Sequence, residues 1–547
     1  MTDAISLNVL IDKKKNRVIY AESDEDFVDV LVSLLTTLIG TIIRLASNQS
    51  PTLMGSLNNL YKSVETIGVL RRFIHTSMEG KTVDSISLKA VVDEKRNKLV
   101  FVESDDEFVD VLFSFLTMSL GTIIRLAQER SMPLTMGCVN NLYESVKNMD
   151  LHHFHFHSEA GKLMFSSPRS EAENNCMNLK LKIDNTDNTE RKLFTCRLHC
   201  GNYSYSHYRD VFCKCGRPMN RELLITKSVV RKREGVFVNG MARFIISDGL
   251  QVMHMSSLES FSLLAKHDIT DHMCNAHERT FNVGTEEVLN LLICSLQSRT
   301  PLTEVFLKNK GDLPDVNKNS PSLNRDELTN QIKEEDMQEK DEKISVKLMI
   351  SKSKKRVCYA EAKKDFVNLV LSFLTVPLGH IAGKLRDTNS FNGCIDQLYK
   401  SVKDLDEQLF KSNHHKEMLV SPSLAFGFSY KNDLLGIKSA PTNSEYHGLT
   451  PIDAKSHNTV DGKSDEGILT GVSTMFIVTD SLTVTPISSI FCMSILKEMK
   501  VPISDIEAQV VHVGKEEAVR LLLSSFVSES ALTNTFIRDP NRKPSAR

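Results

Sequence analysis

Ile86-Ser-Leu-Lys-Ala-Val-Val-Asp93, the polar turn Glu94-Lys-Arg-Asn97 and Lys98-Leu-Val-Phe-Val-Glu103 read as two short apolar strands joined into a β-hairpin. The same opening recurs at Ile5-Ser-Leu-Asn-Val-Leu10 and at Ile344-Ser-Val-Lys-Leu-Met349. Working outward, each hairpin leads into a Phe-Val helix start (Phe27, Phe108, Phe366), a Gly-containing stop (Gly40, Gly121, Gly379) and a closing Leu-Tyr-x-Ser-Val helix. In copy two, Ser104-Asp-Asp-Glu107 places acidic residues in the first turn of that helix, and Ser104 with Glu107 has capping-box spacing. This is module A, present three times. A residue found in every copy belongs first to the folding unit, whereas a feature present once is the better functional candidate.

A second module, B, occurs twice. Phe244-Ile-Ile-Ser-Asp-Gly-Leu-Gln-Val252 matches Phe476-Ile-Val-Thr-Asp-Ser-Leu-Thr-Val484, and Val283-Gly-Thr-Glu-Glu287 matches Val513-Gly-Lys-Glu-Glu517. Both copies close alike, in Pro301-Leu-Thr303 and Ala531-Leu-Thr533. The predicted order is A copy one (1–80), A copy two (81–170), a Cys-rich segment (171–230), B copy one (231–307), a charged disordered linker (308–343), A copy three (344–430), a polar linker (431–466) and B copy two (467–547). The fold class is α/β: hairpin-plus-two-helix and strand-helix-strand-helix units, with A and B pairing into two lobes joined by the linker.

Several repeated residues tempt a functional reading. Glu22, Glu103 and Glu361 recur with Thr36, Thr117 and Thr375, but they sit at a strand-to-helix junction and before a glycine turn, where folding needs explain them. Tyr61, Tyr143 and Tyr399 read as helix anchors. Gly40 and Gly121 before Thr-Ile-Ile-Arg could offer amides to a phosphate, although no Walker or dinucleotide pattern surrounds them. The pairs Glu286/Glu287 and Glu516/Glu517 are better suited to helix starts than to acid–base work, because adjacent helical residues point about 100° apart.

The one concentrated ligand set is single-copy: Cys196-Arg-Leu-His-Cys200 and Cys213-Lys-Cys215-Gly216. Four thiolates can enclose a structural zinc, which leaves no open position for catalysis. The C-x3-C and C-x-C spacings depart from the usual C-x2-C, so His199 or His207 is an alternative ligand for one thiol; neither pair is the C-x-x-C of redox dithiols. His153, His155 and His157 would share a face if 152–157 were a strand, either as metal ligands or as soluble outward residues. Cys138, Cys294, Cys394 and Cys492 sit in apolar contexts and read as core. Lys227-Ser-Val-Val-Arg-Lys-Arg233, with Tyr203, Tyr205 and Tyr208 nearby, is a short nucleic-acid candidate.

With 547 residues, 25% charged and a formal net charge of −2, the chain is long enough for several cores and lacks the basic excess of a nucleic-acid coat. Its first residues lack the layout of a signal peptide, and the apolar run 30–43 is too short to span a bilayer. The eleven cysteines are then expected as reduced thiols in the cytosol or nucleus. No catalytic constellation is visible, which favours a scaffold or adaptor with a protein partner. The alternatives are a small-ligand protein or enzyme with a site between A and B modules, and weak nucleic-acid binding.

The ordered motifs resemble the plant domain-of-unknown-function family 674. The resemblance rests on Ala21-Glu22 with Asp26-Phe-Val28, Ser372-Phe-Leu-Thr-Val-Pro-Leu-Gly379, Asn58-Asn-Leu-Tyr61, Val513-Gly-Lys-Glu-Glu517 and Ala531-Leu-Thr533. It implies a land-plant, intracellular protein and no particular chemistry. The chain departs from the family pattern in its extra A module and in Gly379-His-Ile-Ala-Gly-Lys384, which stands in place of Gly-Thr-Ile-Ile-Arg.

Overall fold

The computed structural model describes 7–12, 17–23, 27–28, 30–31, 63, 85–154, 159–184, 191–196, 204–213, 215–225, 235–240, 242–266, 276–308, 343–385, 393–424, 434–438, 450–452, 456–457, 465–466, 469 and 475–537. The linker expected at 308–343 falls, between its end residues, outside this set. Two compact units emerge, one of residues 1–84 with 256–262 and one of 85–255 with 263–547. In the first, β1 (Leu7–Asp12) and β2 (Arg17–Ser23) form the expected hairpin, with a register shift between Leu10 and Ile11. The Glu22 carboxylate accepts from the Ser257 amide.

In the larger unit, β3 (Ile86–Asp93) and β4 (Lys98–Asp105) pair as predicted. They lead into α1 (Asp106–Ser114), a 3-10 turn (Phe115–Thr117), α2 (Leu120–Glu129), α3 (Val139–Asn148) and α4 (Glu159–Ser166). The expected capping box is not formed. The helix starts at Asp106, the Ser104 hydroxyl donates to the Asp105 carbonyl, and Glu107 instead pairs with Lys180 at 2.5 Å. The Cys-rich segment builds β5 (Arg191–Cys196), β6 (Ser204–Ser206), β7 (Val211–Phe212) and β8 (Pro218–Ile225). B copy one follows with β9 (Arg243–Ser247), β10 (Val252–His254), α5 (Ser257–Lys266), β11 (Ala276–Val283), α6 (Thr285–Gln297) and α7 (Pro301–Phe306).

The second half repeats this. A copy three has β12 (Ile344–Ser351), β13 (Arg356–Ala362), α8 (Lys364–Ser372), α9 (Leu378–Leu385), α10 (Ile395–Asp404) and α11 (Asn413–Val420). Within 431–466, where composition predicts a linker, Leu434, Leu435 and Ile437 are buried and β14 (Thr450–Pro451) pairs in parallel with β6. β15 (Ser456–His457) and β16 (Asp465–Glu466) form a short ladder. B copy two supplies β17 (Phe476–Thr479), β18 (Val484–Pro486), α12 (Ser489–Glu498), β19 (Ile506–Val513), α13 (Lys515–Val527) and α14 (Ala531–Phe536).

Each half is one five-stranded sheet, β10-β9-β4-β3-β11 and β18-β17-β13-β12-β19. The A hairpin lies in the centre and strands of B flank it on both sides. The repeated motifs now have structural jobs. The Asp248 carboxylate accepts from the Thr303 amide (2.8 Å) and hydroxyl (2.7 Å), and the Thr303 hydroxyl accepts from the Leu99 amide (2.9 Å). Asp480, Thr533 and Val357 repeat this tie at 2.8, 2.8 and 2.9 Å. Glu287 and Glu517 cap α6 and α13 by accepting from the Gly284 and Gly514 amides, at 3.0 and 2.9 Å.

The two halves interlock. α3, from A copy two, docks on the sheet of the second half: the Cys138 amide donates to the Ser525 carbonyl (2.7 Å) and the Val484 amide to the Ser145 hydroxyl (2.9 Å). α10 does the reciprocal: Cys394 to Ser295 (2.7 Å) and Val252 to Ser401 (2.8 Å). At the local twofold, Ser119 bridges Pro377, Leu120 donates to Val376 (3.1 Å) and Leu378 to Met118 (2.8 Å). One apolar core runs through both halves.

Candidate metal centre

The sheet β14-β6-β5-β8-β7 carries the thiol cluster. Cys196 ends β5 at a register shift opposite Met219 of β8. Cys213 follows β7, and its amide donates to the Arg217 carbonyl at 2.8 Å. The Gly216 amide returns to the Cys213 carbonyl at 2.8 Å, closing a tight turn. Gly216 has φ +78, a backbone that side chains other than glycine's rarely adopt. Gly216 therefore closes a tight turn after Cys215, with its amide donating to a carbonyl and not to a thiolate. The same β7–β8 hairpin thus presents Cys213, buried, and Cys215, exposed, while β5 presents Cys196.

The sulfurs of Cys196, Cys213 and Cys215 all lie within 4.8 Å of one another, and those of Cys196 and Cys215 are 3.6 Å apart. Tetrahedral zinc with Zn–S bonds of about 2.3 Å places its sulfurs about 3.8 Å apart, so the separations fit one ion. A disulfide would need about 2.05 Å. Of the four thiols singled out in the sequence, three are brought together; Cys200 lies outside the described residues, as does His199. His207 stands beside Tyr205 in an edge-to-face ring contact, centroids 5.2 Å apart.

Other candidates resolve differently. His152 and His153 belong to a 3-10 turn (Leu151–His153) capped by Asp150, not to a strand, and His153 packs on Phe476 at 5.6 Å; His155 and His157 lie outside the described residues. Tyr205 and Tyr208 are buried, so neither can stack on a base. Tyr203 and the basic run 227–233 lie outside the described residues. Gly121 offers no room for a phosphate, since even a Cβ there would stand 2.0 Å from the Phe165 carbonyl oxygen. Cys138, Cys294 and Cys394 are buried, and burial pushes the Cys138 and Cys294 thiols up to about 12. Tyr399 donates to the Val420 carbonyl at 3.1 Å, as an anchor does.

Two groups escaped the sequence reading. Asp110 is a buried carboxylate that accepts from the amides of Val236, Phe237 (2.8 Å) and Val238 (3.0 Å). Burial pushes it up to about 7, against the pull of those three amides and with a small push from Asp106. It lies four residues after Asp106 and two after Phe108, a local pattern that carries no mark of the distant backbone it binds. The other is a cavity of about 170 Å³ between β10 and α10, lined by Gln251, His254, Lys400, Ser401 and Asp404 among others. Neighbouring elements from different halves form it, which no linear pattern reveals.

The chain is a mixed α/β protein in which, among the described residues, the one group of three side chains placed to hold a metal ion is Cys196, Cys213 and Cys215. The chain matches the family described as protein of unknown function (DUF674) over residues 2–76 and 82–516, and it belongs to that family. No curated protein and no solved structure matches it. Among the described residues, no helix is long and apolar enough to cross a membrane.

Proposed function

We propose that the protein is a non-enzymatic binding scaffold whose Cys-rich sheet is pinned by one zinc ion held by Cys196, Cys213 and Cys215, with Cys200 as the fourth ligand. The observation that carries this reading is the convergence of three thiols within 4.8 Å from two separate strands. A structural zinc held by such a cluster contributes folding energy directly. The free thiols suit the reducing cytosol or nucleus. The acidic and hydroxyl groups repeated in both halves are engaged in ties and caps, which leaves protein recognition as the favoured role.

The ligand reading has one observation behind it, the β10–α10 cavity. At about 170 Å³ it falls below the roughly 300–1,000 Å³ usual for small-molecule sites, and its Ser401 hydroxyl is already engaged by Val252. The scaffold reading is the stronger.

The test is the metal content of protein purified without chelator, wild type beside Cys213→Ser/Cys215→Ser, with a melting curve for each. About one zinc per chain, lost in the variant together with a lowered melting temperature, is expected. A metal-free wild type would overturn the zinc assignment.

A further inference from the structure

Nine cysteines belong to the described residues, and Cys215 is the one among them that is exposed. A thiol is oxidised according to its thiolate character and its access to the oxidant, so access singles out Cys215. Its neighbour is the second observation. The Cys196 sulfur stands 3.6 Å away and comes from the end of β5, not from the turn that carries Cys215.

The third sulfur is placed differently. Cys213 is buried, its amide donates to the Arg217 carbonyl and its carbonyl accepts from the Gly216 amide, both at 2.8 Å. The turn therefore holds Cys213 behind the pair. A disulfide brings its sulfurs to about 2.05 Å, which asks Cys196 and Cys215 to close by about 1.5 Å, a distance that rotation of an exposed and a half-buried side chain can cover.

We propose that Cys196 and Cys215 are an oxidation site for hydrogen peroxide, so that the cluster holds either a zinc ion or a disulfide. The zinc half of this statement rests on the metal reading above, and the disulfide half rests on the sulfur geometry alone. Sulfurs that hold zinc are thiolates. The Cys215 thiolate attacks one peroxide oxygen; the O–O bond breaks, a sulfenic acid forms and hydroxide leaves. The Cys196 thiolate then attacks the Cys215 sulfur; the S–S bond forms, the S–O bond breaks and a second hydroxide leaves. Two thiolates give up two electrons and one peroxide takes them. The ion loses two ligands in this step and is released. The new bond ties β5 to the β7–β8 turn, which are the elements the ion ties, so one pin replaces the other. A thiol reductant reverses the exchange, as with the transient disulfides of reducing compartments.

The test uses the full chain, reduced, cleared of reductant and measured for zinc at the start. Hydrogen peroxide is added, and the reaction is followed with a chromogenic zinc chelator and by non-reducing peptide mapping. Linkage of the Cys196 and Cys215 peptides is expected, with loss of about one zinc per chain on the same time course and recovery of both on adding dithiothreitol and zinc. Cys213→Ser should still form the linkage, because the pair does not include it. Cys196→Ser should stop at a sulfenic acid on Cys215, which a dimedone probe labels. A wild type whose Cys215 runs to sulfinic acid without linkage would overturn the proposal, and so would a bridge from Cys215 to Cys213 or Cys200. Zinc that stays bound while the bridge forms would overturn the choice between ion and disulfide. A chain free of metal at the start and linked by peroxide would remove the zinc reading and support the disulfide site by itself.

Discussion

Asp110 and Asn368 hold the same position in two copies of one helix, but their side-chain oxygens meet different surroundings among the described residues. Asp110 gathers three backbone amides of 236–238, and that strap is laced onward to the second half, where Asn239 donates to Leu409 and Lys411 to Phe237. The Asn368 side-chain oxygen is buried with no hydrogen-bond partner among the described residues. The sheets, the Asp–Thr ties and the Glu caps are the same in both halves, so the duplication preserved the scaffold. What diverged are polar groups between the halves: Asp110 against Asn368 and Thr122 against His380 within the packed helices, and Lys98 against the exposed Arg356 at the start of the second hairpin strand. Such groups are individually costly or valuable, and a scaffold with two copies can vary one while the other holds.

The largest test of the comparison is at the twofold itself. A Cβ on Gly121 would stand 2.0 Å from the Phe165 carbonyl oxygen and 3.1 Å from that of Leu374, whereas on Gly379 the nearest oxygens, of Leu116 and Leu419, are at 2.9 and 3.0 Å. Both glycines are helical, so alanine recovers about 1 kcal/mol of propensity in each case. Backbone must move at Gly121, and overpacking of that kind costs about 1–3 kcal/mol and at times more. Gly121→Ala should therefore lower the melting temperature well beyond Gly379→Ala. Equal shifts in calorimetry would mean that the two contacts are interchangeable and the asymmetry carries no weight.

Much of this frame was legible in the sequence, because hairpins and buried helices announce themselves through apolar pattern and turn residues. The Glu-Glu pairs of Val-Gly-x-Glu-Glu also read correctly as belonging to helix starts. The interlock was not legible. Cys138 and Cys394 dock on the carbonyls of Ser525 and Ser295, and a main-chain acceptor leaves no mark in side-chain pattern. The same holds for β14, where Thr450 and Pro451 join a sheet through backbone alone inside a segment that composition marks as a linker. Ser104 and Glu107 show the opposite error: the spacing is right, but the helix begins one residue later than a capping box requires. At the thiol cluster, spacing identified the residues while only folding could bring Cys196 across to Cys213 and Cys215.

A smaller effect is expected from exchanging the divergent pair. Asp110→Asn turns a side-chain amide toward one of the three backbone donors, leaving a buried group unsatisfied at a cost of about 1–3 kcal/mol. The reverse change, Asn368→Asp, buries a carboxylate where the described residues offer its counterpart no donor, and it should destabilise as well. Chemical denaturation decides the matter. If Asp110→Asn proved neutral, the strap would be held by its contacts with 409–411 and not by the carboxylate.

The finest distinction is the direction in which each half responds to pH. In the first half, burial raises Asp110 from 3.8 to about 7 and Asp248 from 3.8 to about 6. A raised acid binds its proton more tightly when folded, so its contribution is full below 3.8 and is lost as pH climbs through those values. In the second half, burial first and the Lys384 ammonium second lower His380 from 6.5 to about 3, opposed by a backbone hydrogen bond at Leu435. A lowered histidine contributes fully above 6.5, and that contribution is lost as pH falls toward 3. Between 3.8 and 6.5 the halves therefore pull against each other. Asp110→Asn should tilt the stability profile of this window toward higher pH, and His380→Thr, which installs the residue of the first half, should tilt it toward lower pH. Melting temperatures of wild type and both variants across the window measure the two tilts. A variant whose profile runs parallel to the wild type would show that its group titrates as it does in the unfolded chain, and tilts of the same sign would show that one of the two shifts runs opposite to the direction set by burial.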